Sequence, residues 1–194
     1  MVKVELISHT PEPEKTIIRA CRTCYQSFDK QDDVSDSKLL RHITKNNESP
    51  LEFANFTFLV SGISRVTSHQ MVRHRVGCSY AQKSQRYVAE GNFDYIMPPG
   101  VEENPSAREE FKKAIELTKD IYNRLRELGI RKEDCRYILP QACATQIMIG
   151  LNGRSLRHFL RLRLSSKAQW EIREVAAQML DAVRKLAPTL VFDL

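Results

Sequence analysis

The amino-acid sequence predicts an α/β (α+β) fold, a mixed sheet packed with helices and carrying a helical extension. Three observations carry that expectation. Val2, Val4 and Leu6 alternate with Lys3 and Glu5, the period-two pattern of a half-buried strand. Phe56, Phe58 and Val60 fall on one face of Ala54 to Val60, and aromatic and β-branched residues suit a pleated, half-buried surface. Between residues 105 and 128, Phe111, Ala114, Ile115, Ile121, Leu125 and Leu128 form an apolar stripe at helical spacing. With 194 residues the chain is long enough for one good core and too short for two separate ones. The expectation is a single domain over 1–194 with a helical insertion near 101–135.

Each element follows from local signals. After the first strand, Pro11 and Pro13 open a helix through Ile17, Ile18 and Cys21 to about Cys24. Gln26 to Asp36 is polar and acidic and reads as a loop, with a short helix from Ser37 to about Lys45. Beyond Gly62, Ile63, Val66, Thr67 and Gln70 fall in line, so a helix should run to about Arg75 before Gly77 breaks it. A loop carrying Ser79 and Ser84 leads to Tyr87-Val88 and Phe93 to Met97, read as strand and closed by Pro98-Pro99-Gly100. Gly129 stops the long helix, and a further turn or helix ends near Pro140. Ala142 to Leu151 reads as a buried segment of either type, and Ser155 to Leu164 and Ala168 to Leu186 as helices. No internal repeat or low-complexity tract interrupts the chain.

Composition narrows the partners. At 42% hydrophobic and 28% charged the chain is an ordinary globular sequence, which excludes collagen-like and disordered classes. A net charge of +6 favours anionic partners such as nucleotides. Met1 to Glu5 shows no basic patch leading into an apolar run. The uncharged run from Tyr137 to Gly153 is interrupted by Pro140, Gln141, Gln146 and Asn152, a poor membrane span. A soluble cytoplasmic protein without a membrane partner is expected, its five cysteines reduced thiols.

Basic residues gather at Arg73-His74-Arg75 with Arg86, and from Arg154 to Arg173. At about 100° per residue, Arg154, Arg157 and Arg161 share a narrow sector opposite Leu156, Phe159 and Leu160. That trio reads as a solvated face or a phosphate contact. Arg163 falls in the middle of the apolar side and should point inward. Its guanidinium stays charged, so it needs either an acidic side chain or a ligand. Asn152 to Trp170 contains no Asp or Glu, the nearest acid being Glu171, which favours a ligand. Gln70, Arg73 and His74, spaced i, i+3 and i+4, offer an amide and a guanidinium fork beside a Ser/Gln-rich loop. Such a set suits a phosphate and a flat heterocycle together.

Gln70-Met71-Val72-Arg73-His74-Arg75, then Ser79-Tyr80 and Ser84-Gln85-Arg86-Tyr87, resemble the signature of the flavin-dependent thymidylate synthase (ThyX) family. Asn152-Gly153-Arg154-Ser155-Leu156 through Phe159-Leu160, Leu162-Arg163 and Ala168-Gln169-Trp170-Glu171 resemble that family's carboxy-terminal block. Weaker likeness covers Ser49 to Glu52 and Arg136 to Pro140. Two independent blocks in the family's order extend the resemblance over nearly the whole chain. Val76 to Lys83, eight residues, separate Arg75 from Ser84, one more than is usual in the family. Phe53 stands where the family commonly has histidine, Cys24 where it has serine, and His158 and Lys167 where it has asparagine and histidine.

The resemblance implies reductive methylation of dUMP to dTMP, with 5,10-methylenetetrahydrofolate as carbon donor, FAD as hydride carrier and NADPH as reductant. It assigns Ser49, Arg73, His74, Arg75, Gln82, Asn152, Gly153, Arg154 and His158 to the flavin. It assigns Gln70, Met71, Val72, Arg73, Gln82, Lys83, Ser84, Gln85, Arg86, Arg136 and Arg163 to dUMP. Arg163 becomes the catalytic residue, a fixed cation that stabilises negative charge on the uracil ring and makes its C5 a better nucleophile. A homotetramer with sites between subunits is implied, with no metal and no nucleic-acid partner.

Three other readings compete. Cys21-Arg22-Thr23-Cys24 is a C-x-x-C, but no second pair or His pair at ligand spacing accompanies it, so core thiols are expected. The cysteine-dependent thymidylate synthases need an activated thiol, and Cys78 lacks their Pro-Cys-His context. A basic nucleic-acid-binding module would use the two arginine clusters and be colourless.

Overall fold

The computed structural model describes residues 1–194. The chain divides into two compact units, the first made of Met1–Ser61, Gln70–Ala81 and Ile147–Leu194, the second of Gly62–His69 and Gln82–Gln146.

The first unit holds most of the sheet. The strands of the sheet are β1 (Lys3–His9), β2 (Asn55–Ser64), β3 (Cys78–Gln82) and β4 (Ala144–Asn152), in the order β1-β2-β4-β3. β1 runs antiparallel to β2, with Lys3 opposite Ser61 and Leu6 opposite Phe58, and a register shift between Leu6 and Ser8. Phe56, Phe58 and Val60 are fully buried, each phenylalanine contributing on the order of 1.5–3 kcal/mol by leaving water. The undecided segment after Ala142 is a strand. Thr145, Ile147, Ile149 and Leu151 alternate inward along β4.

Helices α7 (Gly153–Arg163) and α8 (Trp170–Arg184) pack on each other, and α8 packs on β1. Gln178 of α8 ties the first strand down, its Oε1 accepting from Val4 N at 2.9 Å and its Nε2 donating to Val2 O at 3.1 Å. Asn152 caps α7 by accepting from Ser155 N, and Gln169 caps α8 through Glu171 N and Ile172 N, which satisfies amides that the first turn of a helix leaves without partners. Helix α1 (Pro13–Tyr25) matches the sequence expectation.

Helix α2 spans Asp33–Asn46 and so starts inside the expected loop, four positions before Ser37. Asp32 caps it, accepting from Val34 N and Ser35 N at 2.9 and 2.8 Å, and the acidic first turn suits the positive end of the helix dipole. Beyond Gly62 the expectation also needs correcting, because β2 continues to Ser64 and helix α3 covers only Arg65–Met71. Arg73 and His74 follow in a turn, held by Arg73 N to Gln70 O at 3.4 Å and His74 N to Met71 O at 3.1 Å. Ser79 lies on β3 rather than in a loop.

The second unit is built around a long helix. After the short α4 (Pro99–Glu102), α5 (Pro105–Glu127) is capped by Asn104, whose Oδ1 accepts from Ala107 N. Ile115 and Tyr122 are its buried positions, whereas Leu128 of the expected stripe is 77% exposed. Residues 87–97 do not form the strands expected. Their only pairing is a single antiparallel bridge between Tyr95 and Cys143. Phe93, Ile115 and Cys143 make a small core under Tyr95, Phe111 and Leu139, and this side-chain packing takes the place of a ladder. Helix α6 (Lys132–Cys135) and a 3-10 turn at Arg136–Ile138 end before Pro140. No helix is long and apolar enough to cross a membrane.

Candidate active site

In the first unit the turn after α3 and the start of α7 are stitched together by backbone. Gly77 carries a φ of +63°, a left-handed conformation that glycine adopts without steric cost. A Cβ there would collide with the side chains of Asn152 and Ser155. Asn152 N donates to Gly77 O at 3.1 Å and Ser155 Oγ to Val76 O at 2.7 Å. Tyr80 on β3 closes the turn from the other side, with its hydroxyl at 2.8 Å from Met71 O and against His74 O at 2.6 Å. One hydroxyl hydrogen thus serves two carbonyls.

These contacts frame a cleft of about 510 Å³ lined by Arg73, His74, Arg75, Asn152, Arg154, Ser155, His158 and Arg163, with Val76 and Leu162 as apolar wall. Its one internal ion pair is Arg154 Nη1 to Glu52 Oε1 at 2.8 Å. Arg73, Arg75 and Arg163 have no carboxylate partner within their unit. Three uncompensated cations beside an apolar wall and neutral amides are a donor set suited to an anionic ligand with a flat ring.

Arg163 does turn toward that cleft. Its Nε donates to His74 Nε2 at 3.0 Å and its Nη2 to Gln70 O at 3.2 Å. Burial lowers the Arg163 pKa from its ordinary value, yet a guanidinium remains charged at neutral pH. His74 is 8% exposed. Its ring meets Phe159 edge-on at 4.8 Å and His158 at 5.7 Å. Burial first, then the Arg163 charge and His158, push the His74 imidazole down from 6.5 to about 4. His74 is therefore neutral at neutral pH, and because Nε2 accepts from Arg163 its proton sits on Nδ1.

Other expected residues are placed differently. Ser49 lies exposed on the 3-10 segment Ser49–Phe53, while Glu52 of that segment lines the cleft. Gly153 is a packing position, its amide donating to Ala54 O at 2.7 Å and a Cβ reaching within 2.7 Å of Leu51 O. Met71 is fully buried and Val72 is exposed. The expectation of an outward basic trio fails at Arg157, which is 0% exposed. Arg157 instead makes a bidentate pair with Asp193 at 2.7 and 2.8 Å and donates to Leu190 O. Arg161 reaches the same carboxylate at 3.0 Å. The carboxy-terminal residues 189–193 fold over this side of α7 and supply an acid that helical geometry alone does not reveal.

The second unit carries the remaining residues. Gln82 donates through Nε2 to Ser68 Oγ at 2.8 Å and Thr145 Oγ1 at 3.2 Å. Lys83 pairs with the buried Glu90 at 2.9 Å, and Ser84 Oγ accepts from Arg86 N at 3.2 Å. Gln85 is half-buried. Arg86 pairs with Glu133 at 2.7 Å, and Arg136 donates to Glu133 O at 3.0 Å. Two contributors escaped the sequence reading, Glu52 as the partner of Arg154 and Tyr80 as the clamp on the turn. Neither position carries a local signal for those contacts.

Cys78 lines the same cleft. Burial pushes the Cys78 thiol up, the opposite of an activated thiolate. Cys21 is buried in the core as expected, but Cys24 is exposed on α1, against the expectation that both thiols are core.

A sequence model of the family described as thymidylate synthase complementing protein matches residues 5–189. A flavin-dependent thymidylate synthase from Geobacter sulfurreducens is 40% identical over 201 residues, covering 99% of this chain and 86% of the relative. One from Pyrococcus abyssi is 42% identical over 197 residues, covering 95% and 80%. Among solved structures, a UMP/dUMP methylase PolB from Streptomyces cacaoi bound with 5-Br dUMP matches with a TM-score of 0.82 at 26% identity, over 98% of this chain and 93% of that one. Thymidylate Synthase X (ThyX) from Helicobacter pylori with FAD and dUMP matches with a TM-score of 0.78 at 25% identity, over 98% and 100%. The family match covers residues 5–189, and with relatives at 40% and 42% identity over nearly the whole chain it shows that the chain belongs to the flavin-dependent thymidylate synthase family.

Proposed function

We propose that the chain converts dUMP to dTMP with FAD, taking the carbon from 5,10-methylenetetrahydrofolate and reducing equivalents from NADPH. The observation that carries this reading is Arg163, a cation at the cleft whose anchors within its unit are a neutral imidazole and a backbone carbonyl. A positive charge without a counter-ion costs stability unless a ligand supplies one. The family's relatives are named for thymidylate synthesis, and the two structural neighbours hold 5-Br dUMP or FAD with dUMP.

FAD fits the donor set of the first unit. Arg73, Arg75 and Arg154 supply cations for its diphosphate, and Asn152 and His158 line the same cleft. Bound there, the flavin supplies hydride chemistry that no side chain can perform. Arg163 faces the uracil ring, stabilises negative charge at its carbonyl and N3, and so raises the nucleophilicity of C5. Gln70 and Arg73 position the same nucleotide. Gln82 to Arg86 and Arg136 offer hydrogen bonds and charge to a nucleotide phosphate, Ser84 acting as a phosphate ligand. We read the whole chain, 1–194, as one functional domain, and the active form as a cytoplasmic homotetramer whose sites lie between subunits.

An absorption spectrum of the purified protein tests the cofactor. Bound flavin is expected, released on denaturation and identified as FAD. A colourless protein that takes up no FAD, and whose affinity for oligonucleotides falls steeply with salt, would support the nucleic-acid reading instead.

A further inference from the structure

We propose that His74 is a positioning residue for Arg163, its unprotonated Nε2 accepting the Nε hydrogen of Arg163 and fixing the plane of the guanidinium toward the cleft. The proposal rests on the reading of Arg163 given above and adds what aims it.

Each link of the arrangement is fixed by geometry. The His74 backbone is held from both sides, its amide donating to Met71 O at 3.1 Å and its carbonyl contacted by the Tyr80 hydroxyl. Its ring is wedged edge-on against Phe159 and beside His158, so its plane is set by packing. Nε2 then presents one lone pair to Arg163 at 3.0 Å, and Gln70 O takes a hydrogen of Nη2 at 3.2 Å. Two acceptors on one edge of a planar fork fix its orientation. They leave Nη1 without an acceptor in the unit, on a residue that lines the cleft.

The surroundings favour an imidazole that accepts. His74 is faced by Arg163 and His158 from α7 and by Tyr80 from β3, and is flanked in sequence by Arg73 and Arg75. None of these is a carboxylate, and Glu52, the carboxylate of the cleft, is paired with Arg154, so an imidazolium at His74 would have no free carboxylate to pair with. A proton on Nε2 would turn the hydrogen bond into a repulsive contact and release the guanidinium.

Two measurements test this. Histidine-labelled full-length protein examined by 15N NMR at neutral pH is expected to show a His74 Nε2 that carries no proton and a Nδ1 that does. The spectrum needs no turnover and therefore reads the contact independently of the chemistry. In FAD-loaded protein, His74→Phe keeps ring packing but removes the acceptor and is expected to lose roughly 10- to 100-fold in kcat, the scale of a misdirected catalytic group, whereas His74→Gln, which keeps an acceptor near the Nε2 position, is expected to recover part of that loss. A purely structural role gives the reverse order, since phenylalanine packs against Phe159 better than glutamine does. A protonated Nε2, or His74→Phe turning over as well as His74→Gln, overturns the proposal. Should His74→Phe fail to fold, the tautomer spectrum decides alone. An Arg163→Ala protein with undiminished turnover would overturn the function of Arg163 itself, and the proposal with it.

Discussion

Arg163 and His74 lie 89 positions apart in sequence and are joined by a 3.0 Å hydrogen bond in which the arginine Nε donates to the histidine Nε2. The bond requires a neutral imidazole, and the cation beside it helps keep the ring neutral. Each residue thus fixes the state in which the other works.

That coupling gives His74 a defined effect on stability. Its pKa falls from 6.5 to about 4 on folding, so between those values the unfolded chain binds more protons than the folded one, and stability declines as pH falls. Urea unfolding across this range is expected to show wild type losing stability relative to His74→Gln as pH drops from about 6.5 to about 4, with a constant difference below. An unchanged difference across the window would mean that His74 is protonated in the fold.

Asp193 should matter more than its place near the chain end suggests. It is the only carboxylate paired with the fully buried Arg157, and stripping one partner from a buried ion pair costs about 3–5 kcal/mol. Asp193→Ala is expected to lower the urea midpoint accordingly, with its leading effect on stability. Hydrogen bonding from Arg157 holds the Asp193 carboxyl at about 2, below its ordinary 3.8. The stability it contributes is present above about 3.8 and is lost as pH falls toward 2.

Gly77 is constrained twice, by its positive φ and by the side chains of Asn152 and Ser155. Gly77→Ala should destabilise the protein by about 1–3 kcal/mol and weaken flavin retention, because the turn carrying Arg73 to Arg75 is tied to α7 through this residue. Thermal melting and the flavin content of the purified variant measure the two effects together.

Cys78 tests the rival nucleophile. Its thiol is pushed up by burial and donates to Val76 O at 3.4 Å, so Cys78→Ser is expected to keep turnover within about threefold of wild type, far from the loss that follows removal of a nucleophile. Abolished turnover with dUMP binding intact would point to covalent chemistry at this sulfur.

Much of this was legible in the sequence. The alternation of Phe56, Phe58 and Val60 locates β2, and the absence of acids between Asn152 and Trp170 singles out Arg163. Local pattern stops at contacts made across the chain. Arg157 shares a helical sector with Arg154 and Arg161, but Asp193, 36 residues later, decides that it is buried. The start of α2 is hidden because the acids that stabilise its first turn also look like loop composition. The end of α3 is hidden because Gln70, Arg73 and His74 keep helical spacing after the helix has given way to a turn. Tyr87 to Met97 has strand composition without a partner strand, and side-chain packing against α5 decides its shape.

Release of tritium from dUMP labelled at C5, compared between wild type and Arg163→Lys, probes the planar guanidinium of Arg163 at the reacting carbon. Lysine keeps the charge but presents a single nitrogen in place of the planar fork that reaches both His74 and Gln70 O. Wild type should release tritium when FAD, NADPH and the folate are supplied, and Arg163→Lys should do so roughly 100- to 1,000-fold more slowly, the loss typical of removing a preorganised electrostatic contact. Equal rates in the two proteins would rule out a role for the Arg163 fork in activating C5, and no release from wild type under full supply would rule out thymidylate synthesis by this chain.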